Sequence, residues 1–144
     1  MNPYATKIQK ALDFIEENLT EKLYIRDVAR ETLLSLYHFH RIFQAMVGES
    51  AGEYIRKRRL THASFDLMES KDRILDIAVK YQFETQESFT RSFKKYFGVT
   101  PGSYRQKHKK YVLLEKKRIT FHTLKHLIGG ITMEPKIVTK EAFK

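Results

Sequence analysis

The sequence predicts an all-α fold in which two small helical subdomains are joined by one long helix. Apolar residues recur at three- and four-residue steps through most of the first 110 residues, a spacing typical of amphipathic helices. Glycine and proline are sparse in this region, and one pattern of residues occurs in it twice. Residues 111–144 differ in composition and indicate a short C-terminal extension with β character.

The first helix is predicted from an apolar stripe close to the N-terminus. The residues of this stripe are Ile8, Leu12, Ile15 and Leu19. Glu16 and Glu17 lie on the same amphipathic segment and are predicted to form solvated surface. A short second helix is expected around residues 25–29, which contain three apolar residues.

A third helix is predicted to begin after Ser35, because a serine side chain can accept a hydrogen bond from a backbone N–H at a helix start. Phe39, Phe43 and Met46 would form the inner face of this helix. Gly48 would end it, since glycine adopts the left-handed conformation that terminates many helices.

The long connecting helix is predicted over residues 51–69. Ser50 and Glu53 have the spacing of a capping box, in which each side chain bonds the backbone N–H of the other residue. The expected buried stripe of this helix comprises Leu60, Ala63 and Leu67.

One structural unit is used twice, before and after the connecting helix. The tripeptide Asp27-Val28-Ala29 recurs as Asp76-Ile77-Ala78, 49 residues later. Six further residues recur 50 positions later, so the second copy is one residue longer in its turn: Phe39, Arg41, Phe43, Gly48, Gly52 and Tyr54. A short helix with a small residue, a tight turn and a second helix predict a helix-turn-helix in each copy, over about 22–50 and 72–108.

The second helix of each unit carries polar residues opposite its two phenylalanines. These residues are Tyr37, His40, Arg41 and Gln44 in the first unit, and Gln86, Glu87, Thr90, Arg91 and Lys94 in the second. Arg can bind guanine, Gln adenine and Glu cytosine, while Thr or an aromatic ring can contact the thymine methyl group. The pattern therefore predicts two DNA-recognition helices. The alternative is a helical hairpin whose outer face is merely solvated.

The net charge of +10 favours a polyanionic partner. Residues 1–110 contribute +6 and residues 111–144 contribute +4, so the excess is not confined to a tail. It is concentrated in the basic runs at 56–59, 105–110 and 116–118. Such runs suit nucleic acid and, less often, anionic lipid; a basic solvated surface is the alternative.

Composition excludes or disfavours several classes of protein. The chain has no cysteine, which excludes disulfide scaffolds, thiol nucleophiles and cysteine-bearing zinc sites. It has neither a bilayer-spanning apolar run nor a signal core, which predicts a cytoplasmic protein. His122 and His126 lack a third ligand at a suitable spacing, so neither a metal nor a cofactor is expected. The absence of a catalytic constellation predicts that the protein is not an enzyme.

Residues 74–105, ILDIAVKYQFETQESFTRSFKKYFGVTPGSYR, resemble the signature of the AraC/XylS family of bacterial transcription regulators. Residues 58–70, RRLTHASFDLMES, resemble the linker helix of that family. The resemblance covers about residues 4–108 and is strongest towards the Rob/MarA type. It implies a monomer that binds double-stranded DNA with two recognition helices in successive major grooves. It also implies activation of transcription through contact with RNA polymerase.

Two sets of side chains are predicted at the DNA interface, and the resemblance places the first of them. Those at base-contacting positions are Tyr37, His40, Arg41, Gln86, Glu87, Thr90 and Arg91. Those expected to contact phosphate or support the interface are Ser35, Gln44, Lys57, Lys94, Lys95, Arg105 and Lys109.

The chain departs from the family pattern at four positions. Leu33 and Gln82 stand where each unit usually has a turn glycine, and a left-handed backbone there would cost about 1 kcal/mol each. Tyr24 replaces a capping Ser or Thr. Glu87 is acidic on the DNA-facing surface, so it either binds a cytosine amino group or weakens non-specific binding.

The C-terminal stretch 133–144, MEPKIVTKEAFK, is similar to the start of a GyrI-like effector-binding domain. The chain would then stop where a sensing domain begins, and a small-molecule effector would act only through that missing domain. The alternative is a C-terminal hairpin that is complete in itself.

The sequence therefore predicts a sequence-specific DNA-binding transcription regulator, and more specifically an activator, with residues 1–110 as its DNA-binding domain. The alternative is a helical protein-interaction module that does not bind DNA. A membrane-surface helix is disfavoured, because the packing of the two units already uses the apolar faces.

Overall fold

The structure, a computed structural model, describes the backbone of residues 2–114 and the side chains of residues 2–107. The helices of this part of the chain are α1 (Pro3–Glu17), α2 (Ile25–Thr32), α3 (Leu36–Val47), α4 (Ala51–Glu69), α5 (Ile74–Lys80), α6 (Gln86–Phe97) and α7 (Pro101–Leu114). The predicted all-α fold is confirmed over these residues, and α4 covers the predicted connecting helix. The predicted β character of the C-terminal extension concerns residues outside the described part of the chain.

Two hydrophobic cores share one helix. The first lies between α1, α2, α3 and the start of α4; the second lies between the rest of α4 and helices α5, α6 and α7. Tyr54 and Ile55 of α4 are buried in the first core, whereas the predicted stripe of Leu60, Ala63 and Leu67 is buried in the second. Because α4 contributes side chains to both cores, it joins the two units without a flexible linker.

The repeated sequence pattern is preserved as repeated aromatic packing. Two fully buried phenylalanines pack against each other in each unit, Phe39–Phe43 with ring centroids 5.4 Å apart and Phe89–Phe93 with centroids 5.7 Å apart. In each unit a tyrosine of the next helix then meets the second phenylalanine edge to face: Tyr54 at 5.8 Å and Tyr104 at 5.3 Å. The same contacts therefore fix α3 and α6 in their units.

Equivalent caps begin and end these two helices. Ser35 Oγ accepts a hydrogen bond from the N–H of residue 38 at 3.2 Å, and Thr85 Oγ1 accepts one from the N–H of residue 88 at 2.9 Å. Gly48 and Gly98 end the helices in the left-handed conformation, with φ of 97° and 84°. The predicted start and end of the third helix are thus confirmed.

The predicted capping box at the start of α4 forms in one direction. Ser50 Oγ accepts a hydrogen bond from Glu53 N at 3.1 Å, whereas the Glu53 carboxylate pairs with Arg56. A complete capping box occurs instead at α6, between Thr85 and Ser88.

The turns of both units contain a left-handed residue that is not glycine. Leu33 has φ of 63° and Gln82 has φ of 69°, so both turns keep a left-handed backbone, which the sequence analysis had left open. The backbone N–H of each bonds a carbonyl three residues earlier, at 3.1 Å in both cases. Tyr24, at the start of α2, makes no side-chain capping hydrogen bond, which agrees with the sequence analysis.

The prediction that Glu16 forms solvated surface is wrong. Its carboxylate accepts hydrogen bonds from Arg58 Nε at 3.0 Å and Arg58 Nη2 at 2.8 Å, and His62 Nε2 lies 2.5 Å from Glu16 Oε2. Burial alone would raise the pKa of Glu16, but the hydrogen bonds from His62 and Arg58 outweigh burial and lower this pKa to about 2. Burial opposes the charge of Arg58 as well, yet the bonds to Glu16 raise its pKa overall. This cluster ties α1 to α4.

The basic run at 56–59, which the sequence analysis assigned to a polyanionic partner or to solvated surface, is engaged within the protein. All four side chains have partners inside the protein: Arg56 pairs with Glu53, Lys57 with Glu49 and Arg58 with Glu16, while Arg59 donates to the carbonyls of Leu19 and Glu21. The contacts of Lys57, Arg58 and Arg59 tie α4 to the N-terminal part of the fold, because their partners lie in α1, in the loop after it and just before α4.

Candidate nucleic-acid interface

The outer face of α3 presents the polar residues predicted for it. Burial of Phe39 and Phe43 turns the opposite side of the helix to solvent. The exposed residues of that side are Tyr37, His40, Arg41 and Gln44, and the capping residue Ser35 is exposed beside them. Tyr37 is 72% exposed, which leaves its amphipathic side chain free to contact a partner.

Tyr37 and Arg41 form a pair one helical turn apart. Arg41 Nη1 donates a hydrogen bond to Tyr37 Oη at 3.4 Å, and the guanidinium carbon lies 5.9 Å from the ring centroid. A guanidinium has five N–H donors, so this contact orders the group and leaves donors for the two acceptors of a guanine edge.

The outer face of α6 is equivalent in position and different in chemistry. Phe89 and Phe93 are buried, which leaves Gln86, Glu87 and Arg91 exposed and Thr90 half-buried. Within the described part of the chain, the side chains of these four outer residues make no hydrogen bond or ion pair. Their donors and acceptors are therefore available to base edges.

The predicted supporting residues fall into two groups. Gln44, Lys94 and Lys95 are exposed on the two recognition helices, as a phosphate-contacting role requires. Lys57 and Arg105 are engaged within the protein instead. Lys109 lies outside the described side chains.

The intramolecular partners of Lys57 and Arg105 are defined. Lys57 Nζ lies 2.8 Å from Glu49 Oε1 and 5.9 Å from the ring centroid of Tyr96. The Glu49 hydrogen bond, opposed by burial, raises the pKa of Lys57. Arg105 donates to the carbonyl of Leu67 at 2.9 Å and to that of residue 70 at 3.2 Å, which docks α7 on the end of α4. A direct role of either residue on DNA stays a prediction.

Two contacts that position α3 were missed by the sequence analysis. Tyr4 Oη lies 3.3 Å from Nε2 of His38, and the two rings meet edge to face. Lys7 Nζ donates to the carbonyl of Thr32 at 2.9 Å, directly before the turn that leads to α3. Both are side-chain contacts across about 30 residues of sequence, for which periodicity gives no signal.

None of the helices within residues 2–114 combines the length and the hydropathy that a membrane span requires. Over the same part of the chain, no three His, Cys, Asp or Glu side chains are grouped so that they could hold a metal ion. His122 and His126 lie outside it.

Residues 28–107 match a family model described as a helix-turn-helix domain. Three curated relatives match over similar ranges. An uncharacterized HTH-type transcriptional regulator, YbfP of Bacillus subtilis, is 45% identical over 108 residues, which are 75% of this chain. The HTH-type transcriptional activator AarP of Providencia stuartii is 41% identical over 113 residues, and the multiple antibiotic resistance protein MarA of Escherichia coli is 41% identical over 104.

The share of each relative that is matched differs. The chain spans 37% of the length of YbfP, 84% of AarP and 82% of MarA. Among solved structures, a transcriptional regulator with an AraC-type DNA-binding domain from Chromobacterium violaceum has a TM-score of 0.68 at 25% identity. That match covers 70% of this chain and 90% of the bacterial protein.

Proposed function

Because this chain belongs to the AraC-type family of helix-turn-helix transcription regulators, we propose that it binds one duplex site with α3 and α6 in successive major grooves. The protein is a DNA-binding regulator of transcription. In the proposed complex, Tyr37, His40 and Arg41 contact the bases of one half-site. Gln86, Glu87, Thr90 and Arg91 contact those of the other.

The observation that carries this proposal is the presence of two equivalent outward faces on one rigid scaffold. Both faces lie opposite a buried phenylalanine pair, and both helices start and end with the same type of cap. Each face places an arginine at the same position, Arg41 and Arg91. A merely solvated helical hairpin would need neither the matched arginines nor the exposed, unpaired side chains of α6.

The length of α4 supports binding to one face of the duplex. Its 19 residues correspond to about 28 Å at 1.5 Å per residue. Successive major-groove faces are about 34 Å apart. Since each recognition helix lies beyond an end of α4, a rigid connector of this length can hold both helices in fixed register.

We further infer that the protein activates transcription by contacting RNA polymerase and acts in the cytoplasm, as a regulator rather than as an enzyme. AarP, a relative named as a transcriptional activator, supports the sign of regulation. Residues 1–110 serve as the DNA-binding domain, and residues 111–144 lead towards an effector-binding domain that takes a small molecule. The similarity of residues 133–144 to the start of a GyrI-like domain supports the latter assignment.

The test is selection of duplexes from a random library, followed by affinity measurements on the selected and scrambled sites at several salt concentrations. We expect a consensus with two half-sites about one helical turn apart, bound more tightly than the scrambled duplex. Log affinity should fall with log salt at a slope of about −0.9 per phosphate contact. Failure to enrich any consensus, with binding independent of salt, would instead favour the protein-interaction module.

A further inference from the structure

The side chain of Gln82 links the second helix-turn-helix unit directly to the loop between α1 and the first unit. Its Nε2 donates a hydrogen bond of 2.8 Å to the carbonyl of Thr20, 62 residues away in the chain. Gln82 lies in the turn that leads into α6, and Thr20 lies in the loop after α1. Building on the function proposed above, we propose that Gln82 is a positioning residue that fixes the orientation of α6 relative to α3. It thereby sets the half-site spacing that the protein selects.

The loop that receives this bond is itself held firmly. Arg59 Nε donates to the carbonyl of Leu19 at 2.9 Å, and Arg59 Nη2 donates to that of Glu21 at 2.7 Å. The carbonyl of Thr20 lies between these two and is the one that Gln82 takes. Three successive carbonyls of the loop are therefore bound by α4 and by the second unit. A hydrogen bond to this loop restrains the second unit, because the loop cannot move without breaking its two hydrogen bonds from Arg59.

The backbone of Gln82 indicates why glutamine stands there. At φ of 69° a side chain is strained and glycine would be unstrained. Leu33 occupies the equivalent position of the first unit at φ of 63°, and its side chain is 83% exposed. An aliphatic side chain cannot form the bond that Gln82 makes. Both positions therefore have a strained left-handed backbone, and Gln82 alone of the two forms a hydrogen bond to the other half of the fold.

The expected size of the effect follows from the strength of one hydrogen bond. An exposed neutral bond changes an equilibrium between docked and undocked orientations by about 2- to 12-fold. The contacts of Lys57 with Glu49 and Tyr96 form a second bridge between the units across α4. Loss of Gln82 should therefore loosen the register of the two units without separating them.

The first experiment measures spacing discrimination. Wild type, Gln82→Met, Gln82→Gly and the control Leu33→Gly are titrated with the selected duplex and with duplexes that carry one base pair more or less between the half-sites. Gln82→Met keeps the size of the side chain and removes the donor. Gln82→Gly removes both the donor and the strain, and Leu33→Gly removes equal strain without touching the bond. A duplex with a single half-site reports binding by one unit.

We expect the ratio of Kd on the altered spacing to Kd on the selected spacing to fall by about 2- to 12-fold in both Gln82 variants. Leu33→Gly should keep the wild-type ratio, and affinity for the single half-site should be unchanged in all variants. Unchanged ratios in both Gln82 variants would overturn the proposal. If wild type itself shows no preference for two half-sites over one, the proposed function fails, and the second experiment still decides the role of Gln82.

The second experiment needs no DNA. Residual dipolar couplings of the free protein give one alignment tensor for each unit. In wild type and Leu33→Gly the two tensors should coincide, since the units are held in one orientation. In Gln82→Met they should differ in magnitude, because the second unit gains motion relative to the first. Coinciding tensors in Gln82→Met would show that Gln82 does not fix the orientation.

Discussion

Arg58 and Glu16 form a two-pronged pair between α4 and α1. Nε and Nη2 of Arg58 donate to the two carboxylate oxygens of Glu16 at 3.0 and 2.8 Å. Only 11% of the Arg58 side chain is exposed, so its charge depends on this partner for the solvation that burial removes. The first unit is thereby fastened to the connecting helix by a bond that also involves His62.

This pair makes stability depend on pH at the acidic end. The pKa of Glu16 is about 2 in the folded protein and 4.5 in its ordinary state, so the unfolded chain takes up the proton first as pH falls. The contribution of Glu16 is complete above about pH 5 and is lost as pH falls towards 2. We expect Glu16→Gln to be less stable than wild type at pH 6. The difference in free energy of unfolding should shrink by pH 3.

Chemical denaturation of both proteins between pH 6 and pH 3 checks this prediction. Glu17→Gln is the matched control, because Glu17 is exposed and adjacent in sequence. A stability difference for Glu16→Gln that stays constant over this range would contradict the assigned pKa.

Substitution of either recognition arginine should change DNA binding differently from substitution of another basic residue on the same helices. Arg41→Ala and Arg91→Ala should each cost about 1–3 kcal/mol on the selected duplex and relax the base preference at one position. Lys95→Ala removes an exposed charge expected to contact phosphate, so it should weaken selected and scrambled duplexes alike and reduce the salt slope by about 1. Fluorescence anisotropy titrations of both duplexes provide the measurement. Equal losses on both duplexes for the arginine variants would remove these residues from the base-contacting set.

Relief of backbone strain should stabilise the first turn more than the second. Leu33→Gly removes a left-handed leucine and should raise the free energy of unfolding by several tenths to about 1 kcal/mol. Gln82→Gly relieves similar strain and loses the hydrogen bond to Thr20, so its net gain should be smaller. Urea denaturation midpoints test the order of the two variants. A larger gain for Gln82→Gly would show that its hydrogen bond adds no stability.

A change in the length of α4 should uncouple the two half-sites. The two cores meet α4 on either side of residues 56–59, so an insertion between Arg59 and Leu60 leaves each core intact. Four inserted residues would rotate the second unit by about 40° and move it about 6 Å outward. We expect affinity for the selected duplex to fall to that of a single half-site, while the protein stays folded.

Circular dichroism and titrations of one- and two-half-site duplexes test the insertion. Changing the half-site spacing should not fully restore affinity, because both distance and angle have changed. Undiminished affinity for the two-half-site duplex would mean that the units bind independently or that only one of them contacts DNA.

Local signals were sufficient for most of the fold. Ser35, Gly48 and the phenylalanine pairs act through neighbours within a few residues, so their roles could be predicted from spacing alone. The family pattern located the two turns at Leu33 and Gln82, whereas their left-handed backbone was seen only in the structure.

Contacts between distant segments could not be predicted in this way. Glu16 was predicted to be surface, because no periodicity indicates that Arg58, 42 residues later, lies across from it. The same holds for the basic run at 56–59, whose charges are directed to partners inside the protein. The outward residues of α3 and α6 were predicted from helix geometry, whereas the ordering of Arg41 by Tyr37 required coordinates.

The repeated scaffold with unequal outer faces has a consequence for the operator. Tyr37, His40 and Gln44 on α3 stand at the positions that Glu87, Thr90 and Lys94 hold on α6. In the proposed complex each unit would therefore prefer a different base sequence, and a single chain that bound both half-sites could do so in one direction only. The operator of such a complex would be asymmetric, unlike the palindromic site of a symmetric dimer. Inverting such a site beside a promoter would turn the protein around and present its opposite end to the transcription machinery.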